Sequence, residues 1–214
     1  MACRGILVGS AARNTWLSGD RDIDIFLAVP EDGDITAALE IAREIAPEHE
    51  ERYAEHAYVH ARIDGFDVDL VPCYDVSDPS RIKSAVDRTP FHSRYVSERI
   101  KGMEDDVLLL KQFMKGVGVY GSDLRTGGFS GYLAELLVIH YGSFLRVLEG
   151  ASSWRPGTRI DLAQGADISG PLVVIDPVDP NRNVAAALTL DRMFQFVAAA
   201  RCFLNSPDIS FFFP

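Results

Sequence analysis

Residues 9–26 read GSAARNTWLSGDRDIDIF, a glycine–serine turn followed by a strand that carries two aspartates at alternate positions. On a strand, residues i and i+2 point to the same face, so Asp22 and Asp24 project together while Ile23 and Ile25 face the core. Neighbouring carboxylates repel each other, and a divalent cation between them removes that repulsion. A solvated strand face is the alternative, but the spacing after a turn favours a metal site.

The turn itself predicts a phosphate site. A short apolar run from Arg4 to Val8 ends at Gly9 and Ser10, which suggests a strand that enters a tight turn. Such a turn offers backbone N–H groups and a hydroxyl to a phosphate, and Arg13 adds a fork of guanidinium donors. Gly9-Ser10 alone would be an ordinary turn. Next to the paired aspartates, it predicts phosphate and metal binding at one place.

A third carboxylate is needed to hold two cations around a triphosphate. Residues 66–72 read FDVDLVP and form a later strand on which Asp67 and Asp69 share one face while Val68 and Leu70 take the other. Either aspartate satisfies this pattern, so the periodicity leaves the choice open.

The remaining periodicity predicts an α+β fold with two domains, residues 1–100 and 101–214. The first is a small mixed sheet with helices on one side: strands over 4–8, 22–29, 53–63 and 66–71, a tight turn at Asp64-Gly65, and a helix capped by Asp34 and ended by Pro47. The second domain is predicted to be mainly helical, and a helix over 91–100 lies at the boundary between the two. Its helices span 104–115, 130–148 and 190–204, and Ser130 caps the second of these. Short β runs are expected at 158–162 and 172–175.

Composition is that of an ordinary globular protein, with 47% hydrophobic and 24% charged residues. No apolar stretch is long enough to span a membrane, and the start is too short for a signal peptide. The three separated cysteines predict reduced thiols in the cytoplasm, without a zinc site. The net charge of −10 is concentrated in residues 20–78, while residues 79–115 are net basic, so charge neither supports nor excludes a nucleic-acid substrate.

Residues 9–26 resemble the nucleotidyltransferase signature of the polymerase-β superfamily, and their ARNTWL insert closely resembles that of the archaeal, class I CCA-adding tRNA nucleotidyltransferases. The resemblance covers nearly the whole chain and continues through residues 52–60 (RYAEHAYVH), 68–74 (VDLVPCY), 83–92 (KSAVDRTPFH), 127–137 (GGFSGYLAELL) and 176–185 (DPVDPNRNVA). It implies a polymerase-β-like palm domain followed by a mainly helical domain similar to those of poly(A) polymerases and oligoadenylate synthetases.

The resemblance implies that Asp22, Asp24 and Asp69 are the catalytic, metal-binding triad, which would settle the third carboxylate in favour of Asp69. In the family the first position is often Glu, and Asp22 is a shorter equivalent. The implied reaction is two-Mg²⁺ phosphoryl transfer, which adds C, C and A to the tRNA 3′ end from CTP and ATP without a template and releases pyrophosphate. The chain would thus be an RNA-binding, ATP-binding transferase of tRNA processing and repair.

Further nucleotide-binding residues follow the family motif. The triphosphate would be held by Gly9, Ser10 and Arg13. Lys111 and Tyr120 would add a cation and a phenol donor to the same task. Without the family resemblance, these two would be interpreted as a surface lysine and a half-buried tyrosine. His92 resembles a nucleotide-binding histidine of the family, although alone it would be a helix-terminus residue. Arg182 resembles a family arginine near the incoming nucleotide or the RNA end. His56 and His60 share a strand face, but no third or fourth zinc ligand accompanies them, so a hydrogen-bonded strand histidine near the active site is favoured.

Family members normally carry an N-terminal segment and a C-terminal body and tail that grip the tRNA, and this sequence is expected to lack both. Its final residues, SFFFP over 210–214, form an apolar cluster that either awaits further sequence or packs on the chain's own core. Two other functions stay open: a poly(A) polymerase-like nucleotidyltransferase, and a truncated domain that binds nucleotide or tRNA with little turnover. The oligomeric state is undetermined, with a homodimer among the options.

Overall fold

The computed structural model describes residues 3–20 and 22–214, so that Met1, Ala2 and Arg21 lie outside the described residues. The chain forms two units, Met1–Ser97 and Glu98–Pro214. The first is built on a mixed β-sheet, and the second is mainly helical. No helix among the described residues is both long and apolar enough to cross a membrane.

The sheet of the first unit has the strand order β1-β2-β5-β4-β3. Its strands are β1 (Arg4–Val8), β2 (Asp22–Pro30), β3 (Glu50–Tyr53), β4 (Ala57–Ile63) and β5 (Phe66–Asp75). Strands β2 and β5 at its centre are parallel, while the other neighbours are antiparallel. A parallel pair needs a crossover, and the chain between β2 and β5 supplies it with helix α1 (Ile35–Ile45) and the β3–β4 hairpin.

Helix α1 covers one face of this sheet. Asp34 caps the helix, as the sequence predicts, because its side chain accepts a hydrogen bond of 2.9 Å from the Thr36 N–H. The helix buries Ala38 and Ala42, whose small side chains let it pack closely against the sheet. The apolar residues of this core on the strands are Leu27, Val29, Val59, Ala61, Val68 and Leu70.

The opposite face of the two central strands has two zones. Strand alternation places Asp22, Asp24, Asp67 and Asp69 on this face near the start of the strands. Further along, the same face carries the second apolar cluster, Val8, Phe26, Ala28, Val71 and Cys73. The acidic zone therefore borders a dry, packed zone that holds the strands in place.

The turn at Asp64-Gly65 is confirmed, whereas the predicted single strand over 53–63 is wrong. Asp64 and Gly65 have φ values of 51° and 84°, which a two-residue hairpin turn of this kind requires. Upstream, β3 and β4 are separate strands that pair antiparallel, with Tyr53 opposite Ala57. The described side chains of β3 are all exposed, so that no alternation of buried and exposed residues reveals it.

The second unit contains α3 (Glu104–Val117), α4 (Gly131–Tyr141), α5 (Phe144–Ala151) and α6 (Leu190–Asn205), with the parallel pair β6 (Thr158–Asp161) and β7 (Leu172–Ile175). Helix α2 (Arg88–Arg99) precedes them. The long helix predicted over 130–148 is wrong, because the chain breaks between α4 and α5. Gly142 ends α4 with a φ of 92°, and the Ser143 side chain caps α5.

Aromatic rings fill the core of the second unit around Phe113, which lies at 0% exposure. Its ring contacts Phe144, Phe196, Phe203, Phe211 and Phe212 at centroid separations of 5.5 to 6.1 Å. Two of the final phenylalanines thus pack on the chain's own core, while Phe213 remains 65% exposed.

Candidate active site

The strand register brings the predicted carboxylates together. Across the parallel pair of β2 and β5, Asp24 lies opposite Asp69, and Asp22 lies opposite Asp67. Side chains at paired positions of adjacent strands point to the same face, so four acidic groups share a small area. Asp69 is 30% exposed and Asp67 45% exposed, which leaves both carboxylates within reach of solvent and ligands.

The concentration of negative charge changes the acid–base behaviour of the site. Partial burial, and then the neighbouring carboxylates of Asp69 and Asp22, raise the pKa of Asp24, while the positive charge of Arg13 lowers it. The pKa of Asp22 is raised by burial and by Asp20, Asp67 and Asp69. The folded protein thus holds these anions at an energetic cost, which a bound cation would offset.

Gly9 lies directly against Asp24. Val8 pairs with Asp24 in the sheet, and the turn after it takes Gly9 to a φ of 70°. A Cβ atom at Gly9 would sit 3.2 Å from the Asp24 Cγ and would overlap its Oδ2 atom. Glycine is therefore required at this position by both the backbone conformation and the contact with the carboxylate.

The turn continues into a short 3₁₀ helix, Ala11–Arg13, with Ser10 at its start. The Ser10 carbonyl accepts hydrogen bonds from the N–H groups of Arg13, at 3.2 Å, and Thr15, at 3.1 Å. These bonds fix the loop, and the Arg13 Nη1 donates to the Ser93 Oγ on α2 at 3.0 Å. The guanidinium of Arg13 is thus anchored at one end while its charge acts on Asp24.

His60 was considered in the sequence analysis with His56, but its bond to a predicted metal-binding aspartate was not foreseen. It pairs with Asp69 across β4 and β5, and its Nδ1 lies 2.6 Å from the Asp69 Oδ1. Its Nε2 lies 4.0 Å from the Asp67 Oδ1. The signal was present: counting outward from the Asp64-Gly65 turn pairs residue 63 with 66 and residue 60 with 69.

His56, its suggested partner, is bound elsewhere, as its Nε2 lies 2.6 Å from the Pro72 carbonyl oxygen. Within residues 3–20 and 22–214, no three His, Cys, Asp or Glu side chains form a ready-made metal cluster. His92, predicted to bind nucleotide, lies half-buried on α2 beside Ser93, the residue that anchors Arg13.

The second unit contains a buried charged cluster. Lys111 on α3 is 1% exposed, and its Nζ lies 3.6 Å from the Oε1 of Glu135 on α4, which is 0% exposed. A Cβ atom at Gly131 would lie 3.1 Å from the Tyr120 hydroxyl and 3.5 Å from the Lys111 Nζ. Lys111 is thus no surface lysine: its Nζ lies beside Glu135, and both the Nζ and the Tyr120 hydroxyl lie close to Gly131.

Arg182 also lies in the second unit, where its Nη1 donates to the Asp176 Oδ2 at 2.7 Å. Asp176 is fully buried and accepts further bonds from the Val178 N–H, at 2.9 Å, and the Tyr132 hydroxyl, at 3.3 Å. The predicted nucleotide-binding arginine therefore has a structural bond, and its side chain remains 39% exposed.

Comparison with known families identifies both units. Residues 4–92 match the model described as the nucleotidyltransferase domain, and residues 105–213 match that of the second domain of tRNA nucleotidyltransferase. The CCA-adding enzyme of Methanosarcina barkeri is 59% identical over 217 residues, and that of Halobacterium salinarum is 49% identical over 216. These matches cover 97% and 98% of this chain and 48% of each relative, so the chain spans about half the length of the curated relatives that it matches.

Solved structures share the fold at low sequence identity. The Cid1 poly(U) polymerase bound to magnesium and 3′-dATP superposes with a TM-score of 0.72 at 14% identity, covering 96% of this chain and 83% of that one. The CdnC:HORMA-deltaN complex of E. coli MS115-1 gives 0.69 at 20% identity, covering 99% and 78%. The predicted α+β nucleotidyltransferase fold and the family resemblance are both confirmed.

Proposed function

This chain belongs to the tRNA nucleotidyltransferase family, and we propose that it is the catalytic portion of a CCA-adding enzyme, which adds C, C and A to the 3′ end of tRNA from CTP and ATP. The observation that carries the proposal is the pairing of Asp24 with Asp69 on parallel strands, beside Asp22 and against the glycine turn. The cytoplasm is the proposed location of the reaction.

Asp22, Asp24 and Asp69 would hold the divalent cations. The fit rests on the chemistry of the donors, because carboxylate oxygens are good ligands for Mg²⁺. Burial, and then the charges of neighbouring aspartates, already raise the pKa values of Asp22 and Asp24. Two Mg²⁺ ions, when bound, would lower the pKa of the tRNA 3′-hydroxyl and stabilise the negative charge on the triphosphate and on the departing pyrophosphate.

The loop after β1 would bind the triphosphate. Gly9 lies against Asp24, and the charge of the Arg13 guanidinium acts on the same carboxylate. The backbone N–H groups of this turn and the Ser10 hydroxyl would be the further phosphate donors. The hydrogen bond that Arg13 donates to the Ser93 Oγ restrains the guanidinium, so that less conformational entropy is lost when a phosphate binds. Arg13 would then stabilise the negative charge that develops on the phosphates during transfer.

We further propose nucleotide-binding roles for His92 of the first unit and for Lys111, Tyr120 and Arg182 of the second. Lys111 and Tyr120 supply a cation and a phenol donor, two groups that suit a triphosphate, and they lie together near Gly131. His92 and Arg182 complete the proposed nucleotide-binding set; Arg182 would use guanidinium donors beyond the Nη1 bond to Asp176.

The test is incorporation of radiolabelled nucleotide into defined RNA. The chain is incubated with [α-³²P]CTP or [α-³²P]ATP and tRNAs that end at the discriminator base, at C or at CC. We expect CTP to be added to the first two and ATP only to the third, with Asp24→Asn as the inactive control. Polymerisation of ATP on any RNA, with CTP ignored, would refute CCA addition and favour a poly(A) polymerase-like enzyme.

A further inference from the structure

His60 occupies a defined place among the carboxylates of the first unit. Its Nδ1–H donates to the Asp69 Oδ1 at 2.6 Å, while its Nε2 lies 4.0 Å from the Asp67 Oδ1, beyond hydrogen-bonding distance. The imidazole is 20% exposed, so the bond to Asp69 is shielded from much of the solvent. His60 is thus within hydrogen-bonding distance of Asp69 but not of Asp67, although both aspartates lie on the same strand face.

The sheet fixes this arrangement. His60 faces Asp69 because the hairpin turn at Asp64-Gly65 sets the register of β4 against β5. A slip by one residue would turn His60 to the other face of the sheet. The contact is therefore built by the backbone, and it needs no rearrangement of the chain to form.

The bond has a consequence for Asp69. A half-exposed aspartate samples several rotamers, and a strong donor on one carboxylate oxygen restricts it to the rotamer that keeps the bond. The second oxygen then remains available to a cation. Asp67 has no hydrogen bond of this kind from His60 and keeps its freedom.

We propose that His60 is a positioning residue that holds Asp69 for cation binding and thereby makes Asp69, not Asp67, the third ligand beside Asp22 and Asp24. This inference rests on the proposed function, because it takes these three aspartates as the metal ligands. Groups that orient a metal ligand contribute strongly to affinity, and their loss commonly weakens binding by about 10- to 100-fold.

The experiment measures Mn²⁺ binding to the 214-residue chain by electron paramagnetic resonance, without nucleotide or RNA. We expect His60→Ala to weaken Mn²⁺ binding by roughly tenfold. His60→Asn should recover most of the affinity, because its side-chain N–H₂ group is attached to Cγ as the Nδ1 of histidine is. A merely structural role would not be rescued by so much smaller a side chain.

Three controls separate the possible causes. His56→Ala removes a histidine of the same unit that bonds the Pro72 carbonyl, and it should leave Mn²⁺ affinity unchanged. Asp67→Asn removes an acidic charge from the same face and should cost less than His60→Ala. Asp69→Asn should weaken binding more than any of these, and thermal unfolding of each variant reports whether the fold is intact.

The outcomes distinguish the two levels of the proposal. If Asp69→Asn leaves Mn²⁺ binding unchanged, the metal triad of the proposed function is wrong. If Asp69→Asn abolishes binding but His60→Ala binds as well as the unmodified chain or more tightly, the positioning role alone is overturned. An equal loss in His60→Ala and His56→Ala would likewise overturn it, because general destabilisation would then be the cause.

Discussion

Two clusters of charged side chains, one in each unit of this protein, are organised in opposite ways. In the first unit, Asp22, Asp24 and Asp69 bring like charges together on a partly exposed strand face. In the second, Lys111 and Glu135 form a buried pair of opposite charges. Like charges held together oppose folding, whereas an opposite pair, once buried, depends on both partners. The charge of the first cluster is left to be balanced by a ligand, whereas the two members of the second balance each other within the fold.

The largest effect is expected from Asp24→Asn on catalysis. The substitution keeps the size of the side chain but removes a carboxylate that faces Asp69 across the parallel strands. We expect CTP incorporation into tRNA to fall at least a thousandfold, which corresponds to about 4 kcal/mol of transition-state stabilisation. Single-turnover assays at saturating Mg²⁺ measure this loss. Activity within tenfold of the unmodified chain would remove Asp24 from the site.

Glu135→Gln should have the largest effect on stability. It leaves the ammonium of Lys111 buried without its anionic partner, and breaking such a pair commonly costs about 3–5 kcal/mol. Urea titrations should show this decrease in the free energy of unfolding. The double variant Lys111→Met/Glu135→Leu should regain most of it, since an apolar pair of similar volume avoids the cost of burying charge.

A matched control for Glu135→Gln lies in the same unit, where Arg159 and Asp161 form a more exposed ion pair at 2.9 Å. Asp161→Asn should cost less than about 1 kcal/mol, because solvent screens such pairs. Equal losses in the two variants would mean that the burial of the Lys111–Glu135 pair does not increase its contribution to the free energy of unfolding.

Gly9→Ala should have an intermediate effect. A left-handed backbone costs an alanine about 1–2 kcal/mol, and the added Cβ would also push against the Asp24 carboxylate. Gly19→Ala is the matched control, because Gly19 also has a positive φ, of 95°, but its Cβ would meet nothing within 4 Å. We expect both variants to lose stability in urea, Gly9→Ala the more, and CTP incorporation to fall only for Gly9→Ala. Equal activities would show that the contact with Asp24 is dispensable.

Features that depend on neighbouring residues were the ones that the sequence predicted well. Alternation placed Asp22 and Asp24 on one face, and Asp64-Gly65 marked its turn because few other residues tolerate those φ values. The side chain of Ser130 caps α4 as expected. Each of these follows from the local chemistry of a few consecutive residues.

Features that depend on tertiary contacts were missed. Lysine is a residue type that is usually exposed, and only the packing of α3 against α4 shows that Lys111 is buried beside Glu135. The bond of His60 to Asp69 joins two adjacent strands, and the partner lies nine residues further along the chain.

The helix break at Gly142-Ser143, by contrast, is a local feature. It could have been predicted from a glycine that ends one helix and a serine that caps the next.

The smallest effect, and the one that contrasts most directly with Glu135→Gln, is expected from Asp24→Asn on stability. Burial and the charges of Asp69 and Asp22 raise the pKa of Asp24 above its unfolded value. The folded state therefore binds a proton more tightly than the unfolded state does, so this group favours folding below the unfolded pKa and loses that contribution as pH rises through the folded pKa. At neutral pH the ionised carboxylate therefore lowers the free energy of unfolding, and an uncharged asparagine does not.

In EDTA at pH 7, Asp24→Asn should thus be more stable than the unmodified chain, by on the order of 1 kcal/mol or less. This gain should shrink as the pH is lowered toward 4. Urea titrations at the two pH values measure both differences. A destabilised variant at pH 7 would mean that Asp24 serves the fold, as Glu135 does, and the contrast between the two clusters would disappear.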